Sequence, residues 1–138
     1  MLKTLFALAF LAAIGSALVC FENDDEESEP KLVSKKEWKQ CMYIPPMRKG
    51  AFARQAGVSE AEDSLEGIAA TFAQGDDTVY KILSVCIYER YDFGAVSPKL
   101  RHRVKPEFMF RCFCNTNNCN RAENFEQFLG NLAISRSD

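Results

Sequence analysis

The sequence predicts a small, disulfide-rich, mainly β domain built from antiparallel strands. Three observations predict it: six cysteines in 138 residues, an N-terminal segment that directs the chain to an oxidising compartment, and strand-forming runs separated by turn signals. The length suits one domain rather than two. Lys plus Arg number 17 against 19 Asp plus Glu, a net charge of −2. That balance argues against a protein held to nucleic acid through phosphate contacts. With 12% aromatic residues and no low-complexity tract, the chain has the composition of a folded domain.

Residues 1–17 carry a basic start at Lys3, an apolar stretch from Leu5 to Ile14, and small residues Gly15 and Ala17 at the −3 and −1 positions of a cut. This is the pattern of a secretory signal peptide. The apolar stretch is about half as long as the roughly 20 residues of a membrane-spanning helix. Cleavage after Ala17 keeps all the cysteines, whereas a cut beyond Cys20 would leave an odd thiol. The end of the chain from Phe128 is too short and polar for a lipid-anchor tail. The expected product is secreted and extracellular, has no membrane anchor, and lacks an Asn-X-Ser/Thr glycosylation sequon.

Along the chain, Glu22, Asp24, Asp25, Glu26, Glu27 and Glu29 form an acidic run closed by Pro30. Without the spacing of a calcium loop, it reads as a solvated loop. Glu37–Ile44 reads as a strand ended by Pro45-Pro46, with Trp38 as a packing residue. From Ser59 to Phe72, Ala61, Leu65, Ile68, Ala69 and Phe72 fall on one helical face. Ser59 and Glu62 fit a capping box, and Gly75 supplies a stop. Thr78–Tyr91 reads as a strand, Asp92-Phe93-Gly94 as a turn, and Phe108–Cys114 as a second strand. Over residues 98–111 Lys99, Arg101, Arg103, Lys105 and Arg111 stand against one acid, Glu107. A solvated loop tip is the plain reading of that patch. An anionic partner such as heparan sulfate, or the acidic run itself, would also suit its charge. After Arg121, the stripe Ala122, Phe125, Phe128, Leu129 and Leu132 predicts a short C-terminal helix folded onto the domain.

The cysteines are Cys20, Cys41, Cys86, Cys112, Cys114 and Cys119. Six oxidised cysteines allow some fifteen pairings. Cys112 and Cys114 share one face of a strand and do not suit each other as partners, whereas Cys114 and Cys119 bracket four polar turn-formers that can close a tight loop. Four thiolates could in principle hold zinc, but structural thiolate sites belong to reducing compartments. There is no Cys-X-X-Cys for redox work, no Gly-X-Ser-X-Gly elbow and no His-Glu-X-X-His, and His102 is the only histidine. No enzyme activity, metal or other cofactor is expected.

Leu18-Val19-Cys20-Phe21 at one end, and Cys112-Phe113-Cys114-Asn115-Thr116-Asn117-Asn118-Cys119-Asn120 at the other, resemble the opening strand and closing motif of the three-finger domains of the lymphocyte-antigen-6 and urokinase-receptor type. The Cys-X-Cys form resembles invertebrate members. The resemblance implies an antiparallel three-finger fold over residues 18–120, and the bridges Cys20–Cys41, Cys86–Cys112 and Cys114–Cys119. It also implies that Asn120 hydrogen-bonds backbone near the first strands and locks the palm. In the chain-entropy model the two longer loops contribute about 3–4 kcal/mol each and the short one about 2 kcal/mol. This chain departs from the family in lacking a fourth core bridge. It also carries a long insertion, residues 42–85, with the helical segment at about 59–73. Residues 121–138 form the tail.

The resemblance further implies a binding module that modulates an extracellular protein, with receptors, channels and secreted ligands as partner classes. Tyr88, Arg90, Tyr91 and Phe93 combine aromatic anchors with an arginine and are the candidate binding residues. The alternative is a secreted disulfide-rich effector or toxin-like ligand of another fold, which a bond from Cys114 to Cys86 or Cys20 would favour.

Overall fold

Among the described residues six strands form, and three helices join or follow them. The computed structural model describes residues 16–59, 66–74, 79–97, 99, 101 and 103–134. Nearly all of the expected signal segment lies outside the described residues, as do Ala61, Glu62 and Leu65 of the expected helix, Gly75 and His102. The elements are β1 (Leu18–Glu22), β2 (Lys31–Lys35), β3 (Trp38–Ile44), β4 (Arg54–Ser59), α1 (Glu66–Gln74), β5 (Val85–Tyr91), α2 (Phe93–Val96), β6 (Glu107–Cys114) and α3 (Phe125–Ile134).

The strands form three antiparallel hairpins. β1 pairs β2 from Leu18↔Lys35 to Glu22↔Lys31 as a separate two-stranded ribbon. β3–β4 and β5–β6 join through β3 and β6 into a four-stranded sheet of order β4-β3-β6-β5. At the joint Cys41 faces Cys114, Met42 faces Phe113 and Tyr43 faces Cys112. Because β3 and β6 run in opposite directions, the loop leaving β3 and the loop entering β6 lie at the same end. The loop after β1 is tied to that end by Phe52 N–H on the Glu26 carbonyl (2.8 Å) and Asn23 N–H on the Gln55 carbonyl (3.1 Å).

Adjacent residues of a strand point to opposite faces, so the four-stranded sheet carries two cores. On one face Cys41, Tyr43, Cys112 and Cys114 gather with Cys20, Trp38, Phe128 and Leu132, and α3 covers them. Tyr43 stacks flat on Phe128 at 4.6 Å between ring centroids. On the other face Phe113 and Val58 meet Ile68 and Phe72 of α1, with Met42, Val85 and Ile87 beside them. An irregularity between Trp38 and Gln40 shifts the register and delivers Trp38 to the disulfide face. There its indole lies against Gly57, where any Cβ would fall inside the ring.

Several expectations are corrected. Of the strand expected over Thr78–Tyr91, only Val85–Tyr91 forms among the described residues, Thr78 lying outside them. Val85 already faces Phe113, and β6 ends one residue further on, at Cys114, where the chain turns into the loop closed by Cys114–Cys119. The described residues upstream therefore have no ladder to join, and Ile82 and Leu83 pack against the two cores instead. Ser59 ends β4 opposite Trp38, and its expected capping partner Glu62 lies outside the described residues. Residues 42–44 and 54–59 of the expected insertion belong to the sheet. The Asp92-Phe93-Gly94 turn is a single helical turn, capped where the Asp92 carboxylate accepts the Ala95 N–H at 3.1 Å. In the tail, Ala122 is buried but precedes α3; within α3 Phe128 and Leu132 are buried as expected, but Leu129, one position round from Phe128, is 45% exposed.

Candidate functional site

The end of the domain opposite the hairpin loops is fixed covalently. Cys20–Cys41 ties the ribbon to the sheet, Cys86–Cys112 joins directly opposed residues of β5 and β6, and Cys114–Cys119 closes the loop that follows β6. That loop lies along β1 in place of a neighbouring strand. Val19 N–H donates to the Asn117 side-chain oxygen (3.0 Å), and Asn118 N–H donates to the Val19 carbonyl (2.8 Å). Asn118 adopts a left-handed φ of 61°, which asparagine tolerates. Asn120 is fully buried. Its Oδ1 accepts the Phe21 N–H, and its Nδ2 donates to the Phe21 and Met42 carbonyls, each at 2.9 Å. Its own carbonyl accepts from Gln55 Nε2.

The four candidate binding residues do not form one cluster. Tyr88 and Arg90 lie on the disulfide face of β5, and Tyr91 lies on the other. Tyr88 is 71% exposed and stacks on Phe108, itself 50% exposed, with centroids 5.8 Å apart. The aromatic run continues inward through Phe110, opposite Tyr88, which meets Phe125 of α3 edge-on at 5.1 Å. Arg90 is held by Asp92 at 2.7 Å. Tyr91 stacks on Phe93 at 6.0 Å and donates its hydroxyl to Glu89 at 3.2 Å. Glu89 in turn accepts two hydrogen bonds from Arg111, at 2.6 and 2.8 Å. Arg111 therefore belongs to a mostly buried ion pair rather than to the exposed basic patch.

The remaining members of that patch, Lys99, Arg101, Arg103 and Lys105, are exposed in the loop between α2 and β6. The acidic run finds other partners: Arg48 meets Glu26 and Glu27, and Lys35 meets Glu22. The Ser28 hydroxyl, followed by the Glu27 N–H, holds the Asp25 carboxyl below its ordinary value. Between the first two hairpin loops and the start of the tail lies an open cleft of about 430 Å³, lined by Phe21, Phe52, Gln55 and Arg121 among others. Among the described residues, no group of three His, Cys, Asp or Glu side chains is placed to hold a metal ion. No helix among them is long and apolar enough to cross a membrane.

The profile of a family of unknown function, DUF5354, matches residues 12–131. The chain belongs to that family. No curated protein and no solved structure matches it.

In this DUF5354 chain the sequence reading missed two residues of consequence. Asn23 ties the first hairpin loop to β4: the two hydrogens of its Nδ2 are shared among the Asp25, Ser28 and Ala53 carbonyls, and its Oδ1 accepts the Gln55 N–H. An Asn beside acidic residues reads only as a turn-former, so its reach across to β4 left no local signal. Phe108, the stacking partner of Tyr88, was assigned only to a strand. Alternation in two paired strands could have placed both on one face, given the register.

Proposed function

We propose that this protein is a secreted, non-enzymatic binding module of the three-finger type. It presents the outer part of the β5–β6 hairpin to an extracellular protein, a membrane receptor or channel. The observation that carries this reading is the exposed Tyr88–Phe108 stack on a hairpin pinned by Cys86–Cys112. An exposed aromatic pair on a rigid support loses little conformational freedom on binding, and aromatic side chains are the commonest energetic anchors of interfaces. Three hairpins whose loops share one end support the three-finger reading, as do the pairing of Cys114 with Cys119 and the bonds of Asn120 to β1 and β3. A bond from Cys114 to Cys86 or Cys20 would favour the alternative effector fold instead.

The test is to express the full chain in cultured animal cells with a photo-crosslinking phenylalanine analogue at Phe108, and separately at Lys36 in the β2–β3 turn. Disulfide-bonded protein in the medium is expected, together with a cell-surface adduct from position 108 that Tyr88→Ala abolishes and position 36 does not give. Retention of the protein inside cells, or equal adducts from both positions, overturns the reading.

A further inference from the structure

The cationic loop between α2 and β6 is built, charged and unused by the reading above. Lys99, Arg101, Arg103 and Lys105 occur at every second position and are all exposed. Some other cations in the hairpins are matched by acids: Lys35 by Glu22, Arg48 by Glu26 and Glu27, Arg90 by Asp92, Arg111 by Glu89. The exposed Lys31, Lys36, Lys39 and Lys49 have no ion pair among the described residues, but they are spread over two hairpins rather than set at alternate positions of one loop. Among the described residues no ion pair, side-chain hydrogen bond or ring contact involves the four loop cations. They stand together in a chain whose net charge is −2, so the patch does not follow from general basicity.

Arg101 and Val104 of the loop pack against α2. A Cβ on Gly94 of α2 would lie 3.2 Å from the Val104 carbonyl oxygen and 3.3 Å from the Arg101 Cα. Glycine at 94 thus lets the loop fold down onto α2. Arg101 N–H donates to the Ser97 carbonyl at 3.2 Å, and Asp92 both caps α2 and holds Arg90. The cations are therefore carried on a supported turn with their charged ends in water.

We infer that this loop binds a sulfated polysaccharide, a linear extracellular polyanion. Four unpaired cations on one short turn match a row of sulfate charges. Such recognition draws its free energy from ion pairing and counter-ion release, and needs no apolar cup around the ligand. The ligand class is extracellular, so the inference rests on the secreted reading above, but its binding test does not depend on that reading or on the protein partner.

The experiment uses the full disulfide-bonded chain with heparin as the probe, by titration calorimetry at several salt concentrations. One variant replaces Lys99, Arg101, Arg103 and Lys105 with Ser. A control removes the same charge from exposed Lys31, Lys36, Lys39 and Lys49. Trp38 fluorescence and disulfide mapping verify the fold of each. Binding by the parent chain is expected to weaken with salt with a log–log slope of about 3, as several cation–sulfate pairs imply. The loop variant should lose at least about tenfold in affinity while the control loses no more than about twofold. Desulfated heparin should not compete. The inference is overturned if the parent chain does not bind, if the loop variant and control behave alike, if desulfated heparin competes equally, or if phosphatidylserine vesicles bind as tightly as heparin. Failure here leaves the Phe108 cross-linking result untouched, and a failed cross-link leaves heparin binding intact.

Discussion

Asn120 gives Phe21 both of the hydrogen bonds that a neighbouring strand would have made. It accepts the Phe21 N–H and donates to the Phe21 carbonyl, at 2.9 Å each, while its second amide hydrogen reaches Met42 on β3. One side chain therefore joins the first hairpin to the sheet from a position 99 residues along the chain.

Asn120→Ala leaves three backbone groups without partners and should cost about 2–4 kcal/mol in urea unfolding. Asn120→Asp should be worse at neutral pH, because it sets a carboxylate against the Phe21 and Met42 carbonyls. Those oxygens and burial would raise the folded-state pKa of the new acid above its unfolded value. The Asp variant should therefore recover relative to the parent chain as pH falls, since its folded state then binds the extra proton. An Asp variant equal to the parent at neutral pH would refute this role for the amide.

A methyl group at position 57 has no room, because the Trp38 ring occupies it. Gly57→Ala should cost about 1–3 kcal/mol by overpacking and shift the emission of the single tryptophan to longer wavelength. In a Trp38→Ala background the same change should be close to neutral. Additive costs in the double variant would show that the two residues do not share a site.

Legibility from sequence followed the range of the interactions. β3, β6, the α3 segment and the role of Trp38 were readable because their apolar spacing is local. β4 was not: Arg54-Gln55-Ala56-Gly57-Val58-Ser59 has little strand propensity, and its conformation comes from the ladder to β3 and the indole against Gly57. β2 was hidden as an exposed edge strand bounded by Lys31 and Lys35. For the four candidate binding residues, composition did not show which faces they take. Tyr88 and Tyr91 are three residues apart and so fall on opposite sides of β5, while Arg90 is taken by Asp92.

The Glu89–Arg111 pair is two-pronged and mostly shielded, with side-chain exposures of 24% and 15%. Removing one partner strands the other, so Arg111→Ala should destabilise by about 2–4 kcal/mol. The double replacement Glu89→Leu with Arg111→Met should cost less than Arg111→Ala alone, because no charge is then left under the sheet. Thermal or urea unfolding of the three variants decides it. A double variant weaker than the single one would mean that the pair holds β5 to β6 beyond what apolar packing can replace.

Tyr43 ties the fold to alkaline pH. Its ring is buried flat on Phe128, and its hydroxyl has no hydrogen-bond partner among the described residues. Burial pushes its pKa up from 10.0 to about 12. A group whose folded value is raised supports the fold below its unfolded value and loses that support as pH rises towards the folded one. Stability should therefore fall above 10.0 and keep falling to about 12, by about 2–3 kcal/mol in all. Tyr43→Phe should remove that slope and stay within about 1 kcal/mol of the parent chain at neutral pH, since no hydrogen bond is lost. Ultraviolet titration supplies the second readout: of the four tyrosines, the one missing in Tyr43→Phe should be the last to ionise. A phenylalanine variant with the same alkaline slope would move the cause to another group.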